Sequence, residues 1–135
     1  MALIKLVSED QASGEVKQVY NDVKSRYQID FVPNLMQSWA HNPQALKSNW
    51  ERIKHHEDVL GMEMAHAVGL SIAAQSPCTY CMHFHNLILR QLGWDDMKIE
   101  NLISWAAQSA GGNIYANGLQ LEIEKRTVEM LRRAA

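Results

Sequence analysis

The sequence predicts an all-α fold, on three observations. Apolar residues recur at three- and four-residue spacing in segment after segment, caps and helix breakers separate those segments, and no strand-like alternation of useful length appears. No repeat, low-complexity stretch or linker divides the chain, so residues 1–135 read as one domain.

Ser8 followed by Glu9 and Asp10 is a start signal, and Val16, Val19, Tyr20, Val23 and Tyr27 then keep helical register. The stretch Ile29-Asp30-Phe31-Val32-Pro33 ends that helix, because proline disfavours helical geometry in the residue before it. A short helix carries Leu35, Met36 and Trp39 and stops near His41. Asn42 and Pro43 form a cap and first turn for a helix holding Leu46, Trp50 and Ile53. Its end, Lys54-His55-His56-Glu57-Asp58, reads as a solvated run. After Gly61 an apolar helix to about Gln75, with Ala65, Val68, Ile72 and Ala73, is expected to be central. Ser76 as N-cap and Pro77 as first residue start the next, which passes Leu87, Ile88 and Leu89 and stops around Gly93. Asp95 or Asp96 opens another with Ile99, Leu102, Ile103 and Ala106. Gly111-Gly112 reads as the last break, before a helix from about Asn113 towards Arg133.

The bulk composition excludes several classes of partner. Of 135 residues 47% are hydrophobic and 21% charged, ordinary for a globular domain. A net charge of -2 gives no bias towards nucleic acid or an anionic membrane surface. No apolar run approaches the roughly 20 residues of a membrane span, and the N-terminus lacks signal-peptide order. A cytoplasmic protein is expected. In that reducing compartment a structural disulfide is disfavoured, and the only two cysteines, Cys78 and Cys81, point to redox chemistry or a metal.

With Ser76 as cap, Cys78 is the second helical residue and Cys81 the fifth. Cys78, Cys81 and His85 then fall within an arc of about 60° on one helix face. Cysteine Cα atoms three residues apart on a helix lie about 5 Å from one another, a distance a disulfide accepts. Unpaired backbone N–H groups at a helix start lower a thiol pKa, which favours Cys78 as thiolate. His85, one turn beyond Cys81, is placed to accept or return a proton during exchange. Spacing leaves open which cysteine attacks first.

Cys78-Thr79-Tyr80-Cys81-Met82-His83-Phe84-His85, preceded by the apolar helix and followed by Leu92-Gly93-Trp94 and a further helix, resembles the alkylhydroperoxidase AhpD-like family of the carboxymuconolactone decarboxylase superfamily. The resemblance spans about Met62 to Gln108 and implies an all-helical bundle with its redox pair at the N-terminus of a central helix. It further implies a peroxidase that reduces hydroperoxides through a dithiol–disulfide cycle, without a cofactor, reset by an external dithiol or thioredoxin-like reductant. A homo-oligomer, trimer or hexamer, is implied as well; Trp39, Trp50, Trp94 and Trp105 are candidate contacts. Cys78 and Cys81 match the redox pair, with Cys81 leaning towards the peroxidatic role, and His85 matches the proton-relay histidine. Twelve residues before Cys78, where the family pattern has glutamate, stands His66. A histidine there relays protons or, when charged, stabilises a thiolate. Glu63, one turn earlier, is a candidate for the missing acid.

Two other readings remain. Cys78, Cys81, His85 and His66 offer zinc two thiolates and two imidazoles. A decarboxylase-like protein without redox turnover would instead bind a small molecule among Met62, Met64, Tyr80 and Trp105.

Overall fold

The computed structural model describes residues 2–134 and is built from helices, with no strand among the described residues. They are α1 (Gly14–Tyr27), α2 (Asn34–Trp39), α3 (Pro43–Leu60), α4 (Met62–Gln75), α5 (Thr79–Gln91), α6 (Asp96–Gly118) and α7 (Lys125–Ala134). The all-α expectation holds.

Several boundaries follow the chemistry read from sequence. Asn42 caps α3, its side chain accepting from Ala45 N at 3.2 Å, with Pro43 in the first turn. Asp95 caps α6 through Lys98 N at 2.8 Å. Others moved. Ser8 heads a turn, receiving the N–H groups of Gln11 and Ala12, and α1 starts only after Ser13. Gly14 takes φ +53°, which interrupts any helix running in from Ser8. Gly111-Gly112 does not break α6. Neither glycine adopts positive φ, and a helical glycine costs only about 1 kcal/mol each against alanine. The break falls at Leu119–Glu124, where Gln120 takes φ 52°.

The core lies where α1, α2, α3 and α5 meet. Tyr20, Val23, Val32, Leu46, Trp50, Ile88 and Leu89 are almost wholly buried. Trp50 is therefore a core residue, with Nε1 donating to Asp22 at 2.7 Å. Trp105, at 66% exposure, stands on the surface. Helix α4 packs against α3, α5 and α6, most extensively α5. It is central in its contacts, yet Val68 and Ile72 on its far side are 49% and 58% exposed.

Candidate active site

The cysteine turn is built at the junction of α4 and α5. Ser76 does not cap α5. Its Oγ donates back to Ile72 O at 2.8 Å, serving the end of α4, while Cys78 N donates to Ala73 O. The N-cap of α5 is Cys78 itself, whose sulfur accepts from Cys81 N at 3.3 Å. The Cys78 sulfur thus sits at the helix mouth, one position outside the first turn rather than inside it. Cys78 and Cys81 pair as a disulfide with Cα atoms 5.3 Å apart, the span the helical spacing predicts. Both residues are partly exposed. Between them, Tyr80 Oη accepts from Leu35 N at 3.1 Å, which ties the turn to the start of α2.

His85 follows Cys81 by one turn on α5 and faces α4. Its Nδ1 lies 2.9 Å from His66 Nδ1, so the two histidines singled out in the sequence meet. His66 is 3% exposed, and its Nε2 lies 3.2 Å from Glu57 Oε1. Glu57 belongs to α3. It is 5% exposed and receives Tyr27 Oη at 2.6 Å and Arg26 Nε at 2.6 Å, while Arg26 also bonds Asp58. The run 54–58 is therefore no solvated helix end at Glu57, which is the buried acid of the site. The spacing already carried that signal. Leu46, Trp50 and Ile53 define the inward stripe of α3, and the next position in register is 57.

Glu63 does not supply the acid. It is exposed and turned towards α6, where it accepts from Trp94 Nε1 at 2.6 Å and Lys98 Nζ at 3.5 Å.

The electrostatics fix the proton positions. Burial pushes the Glu57 carboxyl up, but hydrogen bonds from His66, Tyr27 and Arg26 outweigh burial and hold it below the usual carboxylate range. Tyr27 is pushed upward, by burial first and then by Glu57, so it keeps its proton and donates. A carboxylate beside His66 Nε2 requires that nitrogen to carry hydrogen and donate. His66 Nδ1 is then the acceptor while the ring is neutral, and His85 Nδ1–H the donor. This leaves the lone pair of His85 on Nε2. Burial, with His66 adding to it and Glu57 opposing, lowers the His85 pKa to about 4, so the ring is neutral at neutral pH. Proton uptake at His85 Nε2 can be answered by transfer of its Nδ1 proton to His66, which puts the charge beside Glu57.

The proposed zinc set does not assemble. Both sulfurs are engaged with each other and His66 Nε2 with Glu57; among the described residues no group of three or more His, Cys, Asp or Glu is arranged to hold a metal ion. Nor do Met62, Met64, Tyr80 and Trp105 converge. Met64 and Trp105 line one groove, Tyr80 a second cleft and Met62 a third. The cleft with Tyr80 is 520 Å³, lies beside the cysteine turn and is walled mostly by Phe31, Val32, Pro33, Phe84 and Leu87.

No family model matches the sequence, and no curated protein does. A solved structure does match: the alkylhydroperoxidase AhpD core from Rhodospirillum rubrum ATCC 11170 superposes with a TM-score of 0.84 at 22% identity. The match covers 95% of this chain and 98% of that one. The chain has the fold of that AhpD core.

Proposed function

We propose that this AhpD-fold chain is a thiol-dependent oxidoreductase that reduces hydroperoxides through the Cys78–Cys81 pair. The observation that carries the reading is a disulfide-forming pair followed, one turn on, by a chain of proton acceptors that runs inward from half-buried His85 to buried His66 and Glu57. Exchange chemistry needs a place for thiol protons to go, and a structural disulfide does not.

In the reduced state, His85 Nε2 takes a thiol proton as His85 passes its Nδ1 proton to His66. The imidazolium so formed faces the Glu57 carboxylate. His85 alone is a weak base; the coupled pair, with its charge carried to His66, is the effective one. The thiolate attacks the terminal peroxide oxygen, the O–O bond breaks, and the alkoxide leaves with the relayed proton as an alcohol. The sulfenic acid is then displaced by the second sulfur, releasing water and forming the disulfide. One peroxide thus takes two electrons from two thiols, and an external dithiol returns them. We assign the attack to Cys81, nearer His85 in sequence, and the mixed disulfide with the reductant to Cys78 at the helix mouth. The apolar cleft at Tyr80 suits an organic hydroperoxide better than a charged one. Self-association, as a trimer or hexamer, is part of the same reading and is supported by the exposed apolar face of α4.

Counting free thiols before and after one equivalent of an organic hydroperoxide, in the parent and in Cys78→Ser and Cys81→Ser, tests the cycle. The parent should lose both thiols as an intramolecular disulfide. Cys78→Ser should stop at sulfenic acid, and Cys81→Ser should react slowly. Retention of both thiols in the parent would sink the proposal.

A further inference from the structure

One residue in contact with the relay has no polar atom in its side chain and no proton to give. Gly69 lies on α4 three residues after His66, on the same face of the helix. A Cβ at this position would fall 2.5 Å from His85 Cε1, 2.6 Å from Nε2 and 2.8 Å from Nδ1. Three ring atoms at nearly equal range mean that the face of the imidazole, rather than its edge, lies against the Gly69 Cα. The backbone itself does not call for glycine here: Gly69 is not among the positive-φ glycines Gly14, Gly61 and Gly93. Glycine in a helix interior is unfavourable, so its presence in the middle of α4 is offset by something else.

We propose that Gly69 is a positioning residue of the relay, a recess in α4 that seats the His85 imidazole at hydrogen-bonding distance from His66. The inference rests on the relay reading above for its functional meaning, but the seat is a matter of geometry. His85 reaches α4 from α5, and the two helices form the most extensive contact in the molecule. A methyl group on α4 would not move the helices, because the obstructing atoms belong to one side chain able to rotate away. Rotation removes the ring from His66 Nδ1, however, and with it the link to Glu57. The groups facing His85 are His66 from α4, Glu57 from α3 through His66, Tyr27 of α1 and Arg26 behind Glu57, and Phe84 on α5. None of them offers the displaced ring a second partner in place of His66 among the hydrogen bonds of the described residues.

The test is Gly69→Ala beside Gly111→Ala, a helical position where an added Cβ meets nothing within 4 Å. Both variants should keep the parent's helicity. By NMR titration of the His85 C2 proton, Gly69→Ala should raise the midpoint by at least about one pH unit from about 4 towards the ordinary histidine value, and Gly111→Ala should not move it. The rate of thiol–disulfide exchange with a small dithiol should fall about tenfold in Gly69→Ala, and not further when that change is added to His85→Ala. An unmoved midpoint overturns the seat. A moved midpoint with an unchanged exchange rate keeps the seat and overturns the relay reading, so the two failures differ. Should Gly69→Ala not fold, Gly69→Ala with His85→Ala should fold; failure of that pair too would show that glycine serves some other contact, and would overturn the inference.

Discussion

The two faces of α4 invert what hydropathy leads one to expect. Its inner face carries His66, Gly69, Leu70 and Ala73, so that a buried histidine and a half-buried glycine stand among the packing residues. Its outer face carries Met64, Val68 and Ile72, all exposed, along a groove completed by Leu102, Trp105 and Ala106 of α6. The helix is apolar nearly all round, yet for two different reasons. The inner face must exclude water from a charged network, and the outer face presents apolar surface of the kind that a second chain covers. The comparison teaches that the apolar character of this helix does not by itself locate the core. His66 is buried beside Leu70 at the centre, while Met64, Val68 and Ile72 stand exposed at the rim.

The inner face should respond most. Glu57→Ala leaves Arg26, Tyr27 and His66 Nε2 without their common acceptor and should cost about 3–5 kcal/mol in urea unfolding. Glu57→Gln, which keeps the shape, should lose less stability while still slowing thiol exchange by about 100-fold. Equal stability of Glu57→Ala and parent would dissolve the contrast between the two faces.

Acid should act on the inner face next. His85 is held at about 4 in the folded chain, whereas an unfolded histidine titrates near 6.5. Between those values the unfolded chain binds the extra proton, so stability falls as pH drops through the window from about 6.5 to about 4. Allowing for screening at a partly exposed ring, the loss should be about 2 kcal/mol. Glu57 adds a second limb of the same sign. Its carboxyl is lowered, so its contribution is present above the unfolded value and is lost as pH falls through the folded one. Unfolding midpoints measured from pH 7 to about 2 check both, and His85→Ala should flatten the upper limb.

The outer face should matter least to the fold. Ile72→Ser with Trp105→Ser should change the stability of the isolated chain by less than about 0.5 kcal/mol per site. Light scattering should nevertheless show a smaller particle than the parent. An unchanged mass in an associating parent would place the contact elsewhere.

Much of this was legible in the sequence. Helical periodicity placed Val16, Val19, Tyr20, Val23, Tyr27, Leu46 and Trp50 inside, and the cysteine spacing predicted the paired turn. Glu57 was hidden by its neighbours: four polar or charged residues, Lys54, His55, His56 and Asp58, masked one inward position that helical register alone identifies. The cap of α5 was misplaced at Ser76, because a serine before a proline has the local pattern of a cap while Cys78 also offers an acceptor. The end of α4 settled it by engaging the Ser76 hydroxyl. Glu63 failed as the acid because Trp94 and Lys98 of the following segment draw it away, a contact between segments that local spacing does not reveal. The recess at Gly69 depends on how two helices pack and was beyond any reading of one helix.

The double duty of the Cys78 sulfur has a practical consequence for labelling. That atom receives the Cys81 N–H at the start of α5, and the same turn carries Tyr80, whose hydroxyl receives Leu35 N of α2. A maleimide or iodoacetamide adduct at Cys78 would crowd both junctions at once. Such a tag would act as a lesion in two helices, so fluorophores or spin probes intended to report on native motion belong at a remote surface position introduced for that purpose.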